Sequence, residues 1–222
     1  TVQWVTWPGA FIEEGSREGV RKRMENDYSC SPVFMGKEVM AAFETFCTDV
    51  LSPIIHGMTS EFNQKLLEQN VKMFDAYTYI NQLFLDKIGD IYEEGDLVLV
   101  YDYQLMLLPA LLRKRFPDIT CGFFLHCPFP SSEIYRTLPE REQFLNGILG
   151  ADLIAFNHFD YVRHFLNACT LFLGLESLPS KIEYNGRIIN IEICPAGIDL
   201  SWFQEITSKL NPNSEGGGIY GG

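Results

Sequence analysis

The sequence predicts an α/β fold in which helices flank both faces of a mainly parallel sheet. From residue 96 to residue 174, short apolar runs that suit buried strands alternate with amphipathic segments of helical spacing. Strands that alternate with helices in this way form parallel βαβ units, whose helices cover the sheet. The chain has 222 residues, 46% of them hydrophobic, which is enough to bury a sizeable core.

Before residue 96, the sequence predicts one strand and two helical regions. Residues 1–7 have the composition of a strand, and apolar residues at helical spacing indicate a helix over 36–55 that stops near Pro53. Residues 60–92 suit a longer amphipathic helix or a pair of helices, with Ser60 as a candidate N-cap.

After residue 96, strand and helix signals alternate regularly. Strands are predicted at 96–101, 119–126 and 151–156, each followed by a helix, at 105–116, 140–150 and 158–174. Pro109 suits the first turn of its helix, and Gly174 suits the residue that ends the last of them. Asn185-Gly186 separates two β-rich runs, which predicts a hairpin with a type I′ turn.

Two polar residues follow the predicted ends of neighbouring strands. Asp102 comes directly after the strand at 96–101, and His126 ends the strand at 119–126. Ligands of parallel α/β sheets bind beyond the carboxyl ends of the strands, so both residues are site candidates. Asp102 either caps the following helix or holds a sugar hydroxyl or a leaving proton. His126 is either a structural residue or part of a binding wall that the following prolines stiffen.

Charge and cysteine content argue against several classes of protein. The net charge of −12 at pH 7 disfavours nucleic acid as a partner, and the mixed charges of residues 12–27 indicate a solvated helix face. The six cysteines form no CxxC pair, and several lie in apolar runs, which favours reduced, buried thiols in a cytoplasmic protein over a zinc site. His158 and His164 are six residues apart, a poor spacing for sharing a metal. No apolar run approaches the roughly 20 residues of a membrane span, so no membrane partner is expected.

Several stretches resemble the trehalose-6-phosphate synthase family: VYDYQLMLLPALLRKRFP at 100–117, GFFLHCPFPSSEIYRTLPERE at 122–142, ILGADLIAFNHFDYVRHFLNAC at 148–169 and CPAGID at 194–199. The resemblance extends to the N-terminal WPG, SPVF and FETFCTDVLSPIIHG, and it covers nearly all of residues 1–205. It implies a Rossmann-like domain over 1–205, the acceptor-side, N-terminal half of a GT-B glycosyltransferase. Residues 206–222 would then be a glycine-rich tail or linker.

The resemblance also implies an activity and site residues. The family transfers glucose from UDP-glucose to glucose 6-phosphate, and no cofactor or metal is expected here. By its place in the family's motifs, His126 is the active-site histidine, Asp102 is a ligand of the acceptor, and Tyr103 belongs to the same substrate-binding motif. Catalysis without a protein nucleophile is mainly positioning and stabilisation of a cationic sugar. The partners that the resemblance implies are glucose 6-phosphate and a C-terminal GT-B domain or other trehalose-synthase subunits.

Some acceptor-site positions depart from the family pattern. The usual His-Asp-Tyr-His motif is Tyr-Asp-Tyr-Gln at 101–104, Phe43 stands at a tyrosine position, and Ser52 stands at a tryptophan position. Phe43 cannot donate a hydrogen bond and Ser52 offers no aromatic wall. One hypothesis is that the chain is part of an active synthase and is inactive by itself. The second hypothesis is that the chain belongs to a non-catalytic paralogue or subunit with a scaffolding, regulatory or sugar-phosphate-sensing role. In this case the synthase-like domain could be joined to a phosphatase domain. An unrelated glycosyltransferase of the same fold is a third.

Overall fold

The first described elements form a small parallel sheet. The structure is a computed structural model that describes residues 2–58 and 64–210. Strands β1 (Trp4–Thr6) and β2 (Cys30–Pro32) pair in parallel, and helix α1 (Glu14–Tyr28) connects them. α1 buries none of its residues, which confirms the solvated helix predicted there. β2 has only three residues, too short a run to give a strand signal in the sequence.

The helix predicted over 36–55 is present, but its centre is wider than an α-helix. Helix α2 (Lys37–Thr45) runs into a π-helical segment, Phe46–Leu51, and then into α3 (Ser52–Ile55). The helix passes through Pro53 and ends two residues later. A proline has no N–H for the carbonyl four residues back, so it is tolerated near the start of a helical segment, and Pro53 sits in the first turn of α3.

A long helix carries part of an aromatic cluster. Helix α4 (Gln64–Gly89) is one helix of 26 residues and not a pair. Ser60, the candidate cap, lies outside the described residues. Phe46, Phe74, Tyr77 and Phe144 meet with ring centroids between 5.3 and 6.3 Å apart, which joins α4 to the π-helical segment and to residues near position 144.

The predicted alternation of strands and helices is confirmed. Most elements begin or end one to a few residues inside the predicted limits: β3 (Leu97–Tyr101), α5 (Leu108–Arg115), β4 (Thr120–Leu125), α6 (Ser132–Tyr135), α7 (Arg141–Ile148), β5 (Leu153–Phe156) and α8 (Phe159–Leu173). The short helix α6 lies where the sequence indicates only a loop. Pro109 is in the first turn of α5, and Gly174 ends α8 with a left-handed φ of 67°.

The last strands complete a six-stranded sheet. Strands β6 (Ser177–Leu178), β7 (Lys181–Tyr184) and β8 (Arg187–Ile193) extend it in the order β3–β4–β5–β8–β7–β6. β3, β4, β5 and β8 are parallel, whereas β7 pairs with its neighbours antiparallel. Asn185 and Gly186 have φ values of 51° and 73°, as the predicted type I′ hairpin requires.

The two faces of this sheet differ in their cover. Val100, Phe123, Ile154 and Ile191 point to a face that is almost fully buried. The parallel strands β3, β4, β5 and β8 are added one after another in the same direction across the sheet. Because the crossover between parallel strands is right-handed, the connecting helices all lie on the same face. Alternate side chains reach the opposite face, where apolar residues stay exposed among the described residues: Leu97, Leu99, Tyr101, Leu153 and Ile188. The fold class, a parallel sheet flanked by helices, is nevertheless confirmed.

Helix α9 (Leu200–Leu210) follows the sheet and crosses residue 205, the predicted domain boundary. The division into 1–205 and 206–222 stays a prediction, because residues 211–222 lie outside the described part. All six cysteines are free. Four are buried, as predicted, whereas Cys127 is half-buried and Cys194, in the run IEICPAG, is exposed. None of the described helices is both long and apolar enough to cross a membrane.

Candidate active site

The carboxyl ends of β3 and β4 bring Asp102 and His126 to one edge of the sheet, as predicted. The two strands are parallel neighbours, with Tyr101 opposite Phe124. The Asp102 N–H donates to the Phe124 carbonyl over 2.9 Å, which continues the strand pairing by one residue. Asp102 is half-buried and His126 is exposed, so both remain open to a ligand from the same side of the sheet.

The carboxylate of Asp102 is held by the loop after β4. Its Oδ1 accepts from the Cys127 N–H over 3.4 Å, and its Oδ2 lies 3.8 Å from the Cys127 Sγ. Burial, reinforced by the nearby Asp102 carboxylate, raises the pKa of the Cys127 thiol to about 12, so the thiol stays protonated and donates. The alternative of a helix cap is wrong: Asp102 precedes the 3₁₀ turn Tyr103–Leu105 but makes no capping bond with its side chain.

The backbone of Asp102 is strained. Its φ of 65° and ψ of 178° fall in a region that is essentially restricted to glycine. A residue other than glycine in this region costs about 1–3 kcal/mol, and such strain clusters at binding and catalytic sites. The conformation turns the chain sharply from β3 into the 3₁₀ turn, and it leaves the carboxylate beside the loop that follows His126.

Tyr103 and Ser52 lie together next to Asp102. Burial raises the pKa of the Tyr103 hydroxyl, and a hydrogen bond with the Ser52 side chain opposes this rise. Ser52 also contacts His56, whose Nδ1 lies 2.8 Å from the Ser52 carbonyl oxygen and 3.3 Å from its Oγ. The structure therefore brings Asp102, Tyr103 and Ser52 into one cluster.

Phe43 belongs to the floor of this cluster and not to its surface. It is only 5% exposed, and its ring stacks on Tyr77 with centroids 5.8 Å apart. The Tyr77 hydroxyl donates to the Tyr103 carbonyl over 2.7 Å and accepts from the Met106 N–H over 2.9 Å, so it ties α4 to the turn after Asp102. Tyr77 was not among the candidate residues, although a tyrosine on the apolar face of a predicted helix needs a buried partner for its hydroxyl.

His126 has a neighbour, Asn157, that was also not among the candidate residues. Asn157 follows β5, the strand next to β4, and its Nδ2 donates to the His126 carbonyl over 2.7 Å. The same nitrogen lies 3.3 Å from the His126 Nδ1. The position of Asn157 after a predicted strand at the ligand-binding edge was the available signal.

His158 and Asp160 have local roles at the start of α8. His158 caps α8 by accepting the Asp160 N–H at its Nδ1 over 3.2 Å, and Arg163 pairs with Asp160 over 3.0 Å on the same helix. In the described ranges, no three His, Cys, Asp or Glu side chains are grouped so that they could hold a metal ion. The edge at Asp102 and His126 thus offers a carboxylate, an imidazole and hydroxyls, a set that suits the hydroxyls of a sugar.

Residues 1–214 match the family described as Glycosyltransferase family 20. The chain belongs to this family. Alpha,alpha-trehalose-phosphate synthase [UDP-forming] A of Dictyostelium discoideum is 40% identical over 203 residues, which is 91% of this chain and 27% of that protein. The corresponding synthase of Schizosaccharomyces pombe is 40% identical over 210 residues, 92% of this chain and 40% of its own length. The chain therefore spans well under half the length of these curated relatives.

Solved structures have the same fold. The trehalose-6-phosphate phosphatase N-terminal domain of Candida albicans superposes with a TM-score of 0.81 at 31% identity, over 94% of this chain and 46% of that one. An alpha,alpha-trehalose-phosphate synthase (UDP-forming) of Burkholderia xenovorans in complex with glucose-6-phosphate superposes with a TM-score of 0.75 at 18% identity, over 97% and 53%. The second likeness shows the fold alone. Together they confirm the resemblance and the GT-B N-terminal fold predicted from the motifs.

Proposed function

We propose that this chain is the acceptor-side half of a trehalose-phosphate-forming site and binds glucose 6-phosphate at the edge formed by Asp102 and His126. The observation that carries the proposal is the strained backbone of Asp102, which keeps a carboxylate beside the loop that follows His126. The matched family and the name of the Burkholderia xenovorans complex indicate the ligand.

Each residue has a role in this proposal. The Asp102 carboxylate accepts a hydrogen bond from a hydroxyl of the acceptor sugar, and Tyr103 and Ser52 shape the wall next to it. His126 contacts the glucose to be transferred. The donor is UDP-glucose, and its nucleotide is held by a C-terminal domain or another subunit, since the curated relatives are much longer than this chain. The free cysteines favour a cytoplasmic location.

The chain alone is expected to bind glucose 6-phosphate without transferring glucose. Calorimetric titration with glucose 6-phosphate should detect binding, and Asp102→Asn should weaken it about tenfold, because a charge-assisted hydrogen bond is lost while the shape is kept. With UDP-glucose and glucose 6-phosphate together, no trehalose 6-phosphate should form. Asp27→Asn, on exposed α1, is the matched control and should leave binding unchanged. Equal affinity of the wild type and Asp102→Asn would contradict the assigned site.

Restoring the usual family residues is expected to tighten binding. The double variant Phe43→Tyr, Ser52→Trp adds a hydroxyl beneath the site and an aromatic wall beside Tyr103, which should lower the Kd for glucose 6-phosphate by about tenfold. Calorimetry on the double variant and on both single variants measures this change. An affinity that does not change in any of the three would mean that neither position influences the ligand site.

The second candidate is a non-catalytic domain with a scaffolding, regulatory or sensing role. Two observations favour it: the Phe43 ring is packed into the core without a hydroxyl, and the Ser52 side chain is engaged by Tyr103 and His56. The likeness at 31% identity to the N-terminal domain of a trehalose-6-phosphate phosphatase points the same way. Glucose 6-phosphate binding that stays the same when the C-terminal part is added, with no product formed, would favour this candidate over a synthase.

A further inference from the structure

We propose that Asn157 is a positioning residue: its side-chain amide holds His126 in the neutral tautomer with the proton on Nε2. His126 then presents an N–H donor, and not a proton acceptor, to a ligand at this edge of the sheet. The inference rests on the proposed function only for the identity of that ligand. The tautomer itself follows from hydrogen bonds within the protein.

The orientation of the amide is set by a carbonyl group. Asn157 Nδ2 lies 2.7 Å from the His126 carbonyl oxygen, which has lone pairs and no proton. Only the NH₂ end of the amide can make this contact, since its oxygen would repel the carbonyl. The assignment of nitrogen and oxygen in Asn157 therefore does not depend on the histidine.

The same NH₂ group then decides the protonation of the ring. Its second hydrogen is available to His126 Nδ1, which lies 3.3 Å from Asn157 Nδ2, and a nitrogen that receives this hydrogen must carry a lone pair. The proton of the neutral imidazole consequently resides on Nε2. His126 is exposed, and within residues 2–58 and 64–210 no protein atom is hydrogen-bonded to its Nε2, so this nitrogen is free to donate to a ligand oxygen.

The other end of the amide supports a functional role for Asn157. Its Oδ1 is buried and has no hydrogen-bond partner among the described residues. A buried acceptor without a partner is unfavourable, so packing alone does not account for an asparagine here. The part of the side chain that the fold uses is the NH₂ group on His126.

The chain contains its own references for a tautomer measurement. His158 Nδ1 accepts the Asp160 N–H, which places the proton of that ring on Nε2. His56 Nδ1 lies 2.8 Å from the Ser52 carbonyl oxygen and must donate, which places its proton on Nδ1. One spectrum should thus contain both tautomers, with His126 matching His158 and differing from His56.

The test is a two-bond ¹H–¹⁵N correlation spectrum of the 222-residue chain with ¹⁵N-labelled histidine, recorded at a pH where the imidazoles are neutral. In the wild type we expect His126 with a protonated Nε2 and a bare Nδ1. In Asn157→Ala the two ¹⁵N shifts of His126 should move towards each other, as both tautomers become populated. In Asn157→Asp the pattern should reverse, because a carboxylate is repelled by the His126 carbonyl and can only accept a hydrogen bond from Nδ1–H.

The controls separate a local effect from unfolding. Asn167→Ala makes the same change on the exposed face of α8 and should leave all four histidines unchanged. Unchanged tautomers of His56 and His158 show that a variant is folded, and Asn157→Asp keeps the test decisive if the alanine variant is unstable. A wild-type His126 protonated on Nδ1, or a His126 pattern that none of the Asn157 variants alters, would overturn the proposal.

A titration with glucose 6-phosphate distinguishes this inference from the proposed function. If the tautomers are as expected but no His126 signal responds to the ligand and calorimetry finds no binding, the proposed function fails and the role of Asn157 stands. If glucose 6-phosphate binds but His126 is protonated on Nδ1, the role of Asn157 is refuted and the proposed function stands.

Discussion

Replacing Gly150 by alanine is expected to lower the free energy of unfolding by about 3 kcal/mol, at the upper end of what overpacking costs. A Cβ on Gly150 would fall on the backbone N and Cα of Ala110, in α5, well inside van der Waals contact. Backbone atoms cannot rotate away as a flexible side chain can, so α5 and α7 would have to separate. Urea denaturation of both proteins measures the difference.

The matched control is the same substitution at an exposed helical glycine. Gly19 lies in the middle of α1, and no atom stands within 4 Å of a Cβ added there. Gly19→Ala should therefore raise the free energy of unfolding by up to about 1 kcal/mol, because alanine favours the helix. If both substitutions shift the denaturation midpoint in the same direction, the close contact between α5 and the end of α7 is contradicted.

The close packing at Gly150 also matters for the site. Gly147, one turn earlier, would place its Cβ against the carbonyl oxygen of Met106 and the Cα of Leu107. Met106 donates its N–H to the Tyr77 hydroxyl, so the segment that leads from Asp102 into α5 is fixed from both α4 and α7. A backbone shift at either glycine would propagate to the turn that carries Asp102.

The regular elements could be predicted because their signals are local. Pro109 and Gly174 mark the start and the end of helices through their own backbone properties, and Asn185-Gly186 determines its hairpin through two positive φ values. The adjacency of Asp102 and His126 needed only one further rule, that the strands are parallel neighbours. These inferences require no knowledge of long-range packing.

The details of the site depend on contacts that no local pattern encodes. The left-handed φ of Asp102 contradicts its intrinsic preference, because tertiary structure imposes it. Asn157 contacts His126 across 31 residues, and Tyr77 reaches the Tyr103 carbonyl across 26. Phe43 illustrates the same point: the sequence relates it to the acceptor site, whereas the structure places its ring in the core against Tyr77.

The exposed face of the sheet follows from topology in the same way. Each strand alternates buried and exposed side chains, but a strand such as β3, with Leu97 and Leu99 on the exposed face, reads as continuously apolar. Continuous apolar runs predict burial on both faces, whereas the single direction of the crossovers leaves one face to be covered from elsewhere. The sequence therefore indicates a more completely covered sheet than the described residues provide.

Replacing Asp102 by glycine is expected to give a more stable protein than replacing it by alanine, by about 1–2 kcal/mol, the reverse of the usual order. Both variants lose the carboxylate and its contacts with Cys127, so the comparison isolates the backbone. At a φ of 65° and a ψ of 178°, the Cβ of alanine clashes with the backbone, whereas glycine has no Cβ and adopts these angles without strain. Urea denaturation of the two variants measures the difference.

Binding should respond differently from stability in the same two variants. Both should lose glucose 6-phosphate affinity about tenfold or more, since neither carries a carboxylate, although Asp102→Gly removes the backbone strain. At Gly19, in α1, alanine should be the more stable residue, which provides the normal order for comparison. If Asp102→Ala is as stable as Asp102→Gly, the backbone at residue 102 is not strained. In that case the fold does not give up stability to keep a carboxylate at this edge.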